Sequence, residues 1–114
     1  MPGGYEAVLR IARDRDRSWL RVIRDFHDVL ALQVANDGVA WLDARWLRSR
    51  TGRRFPALAP LVSWGVLVEK VWYGENGAPL LKSGRHYYEM PDRLGVGRAL
   101  DHLAVPRAEL VPIP

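Results

Sequence analysis

Apolar positions recur along the first third of the chain at the spacing of one helix face. Trp19, Val22, Ile23, Phe26, Val29 and Leu30, continued by Gln33, fall at i, i+3, i+4 and i+7. Ser18 stands where an N-cap belongs, and Asn36-Asp37-Gly38 reads as a stop. Upstream, Tyr5, Val8, Leu9 and Ala12 repeat the same spacing. The pattern predicts an N-terminal helical segment over residues 5–36, running through or breaking at the alternating charges of Arg13 to Arg17. Val39 to Trp41 is too short and too apolar for an independent helix and predicts a brief strand. Asp43 is then placed to cap a short helix in ARWLRSRTG, with Trp46 and Leu47 inward, its arginines largely outward, and Gly52 ending it. Pro56 suits a helix entrance. Pro60 delays the start of the next helix, in ALAPLVSW, because proline deeper inside would clash with the preceding turn.

The period then changes from 3.6 to 2. Val66, Val68, Lys70 and Trp72 alternate with Leu67, Glu69, Val71 and Tyr73; Arg85, Tyr87 and Glu89 alternate with His86, Tyr88 and Met90. Two such arms around a tip holding Gly74, Gly77, Gly84 and Lys82 predict a β-hairpin with a long loop. Pro91-Asp92 ends it, and Asp92 is set to cap a last helix over residues 92–103. The tail 104–114 carries three prolines and is expected to be extended or disordered. The expected class is α+β, mostly helical, in a single domain spanning 1–114. Its parts are the helical segment 5–36, a strand, two helices and a hairpin over 39–90, and the C-terminal helix.

Composition narrows the class further. The chain's 114 residues suffice for one core. With 48% hydrophobic and 26% charged residues it is globular rather than disordered. No apolar run approaches the roughly 20 residues of a membrane span, and the opening MPGGYEAV lacks the basic-then-apolar pattern of a secretory leader. The absence of cysteine excludes disulfides and thiolate metal sites. Together these features point to the cytoplasm. Trp19, Trp41, Trp46 and Trp64 are assigned to the core.

Charge adds a candidate function. The formal net charge is +4, and all the cations are arginine except Lys70 and Lys82. A GC-rich genome produces that bias without functional meaning, so the distribution decides. Arg45, Arg48, Arg50, Arg53 and Arg54 lie between Asp43 and Glu69 with no acid among them. A solvated helix face is one reading of these five. An electrostatic footprint for nucleic acid is the other, since the planar guanidinium fork suits phosphate.

The order of elements (helix, short strand, helix, turn, helix, hairpin) is that of a winged helix-turn-helix domain. LVSWGVLVEK resembles the junction in which the third helix ends at a glycine and runs into the first wing strand. GRHYYEMPDRLGVGRAL resembles the second wing strand and following helix of PadR- and MarR-like regulators. The resemblance covers roughly Val39 to Leu103. It implies a winged helix-turn-helix fold with a two- to three-stranded antiparallel wing and an N-terminal helical extension. It also implies a small transcriptional regulator that binds double-stranded DNA as a homodimer, for which the N-terminal helical segment would supply the contact. Carried onto this chain, Arg53, Arg54 and Ser63 sit on or before the third helix and Arg45, Arg48 and Arg50 on the preceding one. Lys82, Arg85 and His86 sit on the wing. The sequence departs from the pattern between Gly52 and Gly65, where PALAPLVSW offers almost no donors for base edges. Phosphate contacts are expected, and few base contacts.

Enzymatic chemistry has little to draw on. His27, His86 and His102 show no metal-ligand spacing. Asp25, His27 and Asp28 do not share a helix face, and the two acids are expected to pair with Arg21 and Arg24. No serine stands beside a base, and Gly95-Val96-Gly97 lacks the context of a phosphate loop. No catalytic set, metal or cofactor is expected. Two alternatives to duplex binding are a winged-helix module that docks a protein through its apolar third helix or its wing, and an accessory protein that stacks single-stranded nucleic acid on Trp72, Tyr73 or Tyr88.

Overall fold

The computed structural model describes residues 3–72 and 85–111. Its architecture is α+β. Among the described residues there are five helices, α1 (Gly4–Asp14), α2 (Ser18–Asp37), α3 (Ala44–Thr51), α4 (Ala59–Ser63) and α5 (Arg93–His102). Strands β1 (Val68–Trp72) and β2 (Arg85–Glu89) pair as an antiparallel hairpin. The glycine-rich tip, Tyr73, Lys82 and the last three residues lie outside the described residues. No described helix is long and apolar enough to cross a membrane.

The N-terminal segment breaks at its alternating charges. Arg15 is extended and its N–H closes α1 on the Ile11 carbonyl at 2.9 Å. Ser18 does not cap α2, as its position suggested; it is the first helical residue, and its N–H donates to Asp16 Oδ1 at 2.9 Å. The carboxylate two residues upstream takes the role, in the manner of an Asx turn.

The buried stripe of α2, Leu20, Ile23, Phe26, Val29 and Leu30, forms the centre of the core. Ala7, Val8 and Ile11 of α1 and Val96, Ala99 and Leu100 of α5 pack around it. Helices α1 and α5 approach so closely that a Cβ on Gly4 would lie 2.6 Å from Val96 Cγ2 and 2.9 Å from the Asp92 carbonyl oxygen. Burial of these faces leaves no large exposed apolar side chain on the 5–36 segment. The large apolar side chains that stay exposed among the described residues are Trp41, Trp46, Val68, Leu94 and Val111.

One carboxylate starts both outer helices. Asp92 Oδ1 accepts the Gly95 N–H of α5 at 3.1 Å, and Oδ2 accepts the Gly4 N–H of α1 at 2.6 Å. The residue before α1 is Gly3, which has no side chain to do this. Asp92→Ala should therefore cost about 2 kcal/mol, roughly 1 for each cap. Asp92→Asn, with one acceptor oxygen, should lose about half as much. Urea midpoints of the two variants check this; equal losses would show that only one cap contributes.

The strand expected at Val39 to Trp41 is reduced to a single bridge, one residue later. Leu42 N–H donates to the Tyr88 carbonyl at 2.9 Å and Tyr88 N–H to the Leu42 carbonyl at 2.7 Å. On the edge turned away from β2, Gln33 Nε2 donates to the carbonyls of Val39 (3.1 Å) and Trp41 (2.6 Å) and ties the segment to α2. Two of the tryptophans also depart from expectation. Trp19 and Trp64 pack edge to face against the core, 5.4 Å apart. Trp41 and Trp46 are 43% and 40% exposed, because the neighbouring Leu42 and Leu47 take the inward positions.

The tail is pinned rather than free. Ala108 N–H donates to Asp28 Oδ2 at 2.8 Å, and Val111 N–H to the Arg50 carbonyl at 2.6 Å.

Candidate nucleic-acid interface

Helix α3 orients the arginine cluster. Asp43 Oδ1 accepts the Trp46 N–H at 2.7 Å and opens the helix; Gly52, at φ 69°, ends it in the left-handed region that favours glycine. Leu47 and Thr51, one turn apart, face the core, and Thr51 Oγ1 donates to the Leu47 carbonyl at 2.9 Å. That rotation fixes the arginines. Arg45 and Arg48 are exposed, but Arg50 is only 8% exposed and is not one of the outward arginines the sequence suggested. It follows Leu47 by three residues and so shares its buried side.

Arg53 is also withdrawn. Its Nη2 donates to Oδ2 of Asp25, a residue of α2 that is 3% exposed. The stretch from Ala44 to Val68 contains no acid, yet the fold brings one from 28 residues away. Asp25 thus pairs with Arg53, not with Arg21. Burial pushes the Asp25 carboxyl above its ordinary range, and Arg53 pulls it back only in part.

What remains is a trio. Arg45, Arg48 and Arg54 border an open concavity of about 500 Å³, together with Phe55, Leu58 and Tyr88. No carboxylate lines it among the described residues. Tyr88 belongs to β2, so the base of the hairpin forms one wall of the arginine concavity. Burial, and secondarily the charge of Glu69, raises the Tyr88 hydroxyl pKa and keeps it a neutral donor. Phe55 was not among the expected site residues, and Tyr88 was expected only as a stacking surface for single strands. Only their nearness to arginines in sequence or across the hairpin base hinted at them.

The stem of the hairpin is less cationic than expected. The register pairs Val68 with Glu89, Lys70 with Tyr87 and Val71 with His86. Diagonal contacts cross it: His86 Nδ1 lies within hydrogen-bond reach of Glu69 Oε1, at 2.5 Å, and Lys70 Nζ lies 3.3 Å from Glu89 Oε1. His86 is therefore engaged by an acid rather than free for phosphate. Arg85 opens β2 opposite Trp72; Lys82 lies outside the described residues. Ser63 is exposed on α4 but lines a different cleft, with Arg10, Arg15 and Trp64. There the Arg15 guanidinium lies 5.0 Å from the Trp64 ring centroid.

The remaining charged cluster is structural. Contrary to expectation, the neighbours His27 and Asp28 do meet, with Nδ1 2.8 Å from Oδ1. Arg24, 3% exposed, has Nε 3.6 Å from Asp28 Oδ2 and donates through Nη2 to Asp101 Oδ1 at 2.7 Å. Burial raises the Asp28 carboxyl, but His27, the Ala108 N–H and Arg24 together hold it below the usual range. These bonds tie α2 to α5 and the tail. No group of His, Asp or Glu among the described residues could hold a metal ion.

Compared with known proteins, the chain matches no family model, no curated protein and no solved structure.

Proposed function

We propose that this chain is a DNA-binding protein of the winged-helix kind, a small transcriptional regulator that grips the phosphate backbone of a duplex. One observation carries the reading: three exposed arginines border a concavity that no carboxylate lines among the described residues, and the base of a β-hairpin forms one of its walls. Arg45, Arg48 and Arg54 present planar donors to phosphate oxygens. Arg85, the first residue of β2, and Lys82, which lies outside the described residues, are the wing cations proposed to add to them. The order of elements supports the winged-helix assignment, and so does the Leu42 bridge on the free edge of β2, where a third wing strand would pair.

Helix α4 occupies the place of a recognition helix, but it is five residues long and reads APLVS. Ser63 is the one side chain there able to donate to a base edge, and it opens onto another cleft. Binding by position rather than by base readout follows. With Arg50 buried and Arg53 and His86 paired, five cations are left for phosphates. Titration of a random duplex should give a log–log salt slope of about −4.5, so that raising salt from about 50 to 200 mM weakens binding about 500-fold. A slope near zero would remove duplex DNA as the ligand.

A further inference from the structure

We infer that the cleft between the end of α2 and the start of α3 takes an arginine side chain presented by a protein partner. The cleft holds about 300 Å³, at the lower end of ligand-sized sites. Its walls include Trp41, Trp46 and Val39, with Asp37 and Asp43 at its sides. The two indoles are exposed, while Trp19 and Trp64 pack against the core. Its frame is built: Gln33 Nε2 holds the carbonyls of Val39 and Trp41 and so fixes the segment that carries Trp41.

The two carboxylates decide the occupant. Each uses one oxygen locally: Asp37 Oδ1 accepts the Val39 N–H at 2.9 Å and Asp43 Oδ1 accepts the Trp46 N–H at 2.7 Å. Neither joins an ion pair among the described residues, whereas Asp14, Asp25, Asp28 and Asp101 each have an arginine partner. The cleft thus combines aromatic surface with unneutralised negative charge. A guanidinium group satisfies both demands, since its plane stacks on indole while its edge donates in pairs to a carboxylate. An ammonium is more strongly hydrated and lacks the plane. The same carboxylates repel a phosphate backbone. Helix α3 contributes Arg45 and Arg48 to one concavity and Trp46 to the other, so a polyanion and a cationic protein can be held side by side.

The test uses the full chain, an acetylated Gly-Arg-Gly-Arg-Gly amide and the same peptide with citrulline for arginine, followed by the indole N–H resonances. The arginine peptide should shift Trp41 and Trp46 saturably while Trp19 and Trp64 stay in place, and the citrulline peptide should bind at least about tenfold more weakly. Asp37→Asn with Asp43→Asn keeps both local hydrogen bonds, because asparagine caps as well as aspartate. It should cost about tenfold in peptide affinity and leave duplex binding intact. Equal binding of the two peptides would overturn the inference on the native chain alone, whether or not the variant folds. It would be overturned equally if Trp41 and Trp46 shifted on raising protein concentration without peptide, which would make a second copy the occupant, or on adding duplex DNA.

Discussion

Replacing Arg45, Arg48 and Arg54 together with alanine should lower duplex affinity roughly 500-fold at about 0.1 M salt and take about 2.7 off the magnitude of the log–log salt slope. Each guanidinium that neutralises a phosphate releases close to 0.9 of a counterion, so three lost contacts scale as the salt concentration to the power 2.7. That is about 3.7 kcal/mol of binding free energy. The side chains concerned are exposed, so each substitution should alter stability by no more than about 0.5 kcal/mol. Arg10, Arg13 and Arg17, also exposed, supply the comparison, since their replacement removes the same formal charge. If that second triple variant lost as much affinity and slope as the first, binding would be a matter of net charge and the concavity would have no special part. The slope also identifies the nucleic acid, because a single strand returns about 0.7 per phosphate rather than 0.9.

Elements were legible where one local signal dominated. The α2 stripe, Asp43 and Asp92 as caps and the two hairpin arms follow from periodicity and from capping chemistry, which act within a turn or a strand. The delayed start of α4 follows from Pro60 in the same way. The misses arise where a residue's surroundings in the fold, rather than its own local pattern, decide its place. The strand expected at Val39 to Trp41 is held to α2 by Gln33 and meets β2 only through the Leu42 bridge. Trp41 and Trp46 read as core because large aromatic side chains repay burial, but their leucine neighbours hold the inward positions.

The arginine cluster shows the same division. Charge counting along the chain found an acid-free window, and the window is correct as sequence. It could not see that α2 delivers Asp25 to Arg53, or that Arg50 rotates inward with Leu47. Five candidates become three on the surface. The concavity that results is smaller in charge but better defined, because Tyr88 and Phe55 give it walls that charge counting does not reveal. Conversely, Asp37 and Asp43 were visible only as a helix end and a cap. Their position around two exposed indoles is a product of the fold.

Arg53→Ala should destabilise the fold by about 3 kcal/mol near neutral pH, with the loss shrinking as the pH falls. The side chain of Asp25 is 4% exposed and that of Arg53 is 34% exposed, so the arginine can return to water and the cost lies with the stranded carboxylate. That asymmetry, with solvent screening at Arg53, places the loss at the low end of the range for broken buried pairs. Burial already lifts Asp25 above the ordinary carboxyl pKa with Arg53 present. A group raised in this way favours the fold below its unfolded pKa and loses that contribution as the pH rises through the folded one. Removing Arg53 lifts the folded value further, so the variant falls behind the native chain from the ordinary carboxyl range upward. As the pH falls through the ordinary carboxyl range Asp25 takes up its proton in both proteins, and the difference should shrink. Asp28 and Asp101, held below their usual range, lose stabilisation on acidification in both proteins alike and cancel in the comparison. Urea unfolding near pH 7 and pH 4 measures it; a loss of the same size at both would mean that Asp25 is not the group left uncompensated. The same variant should keep the native salt slope, whereas Arg54→Ala should reduce it by about 0.9, separating the arginine that holds the loop from one that faces the ligand.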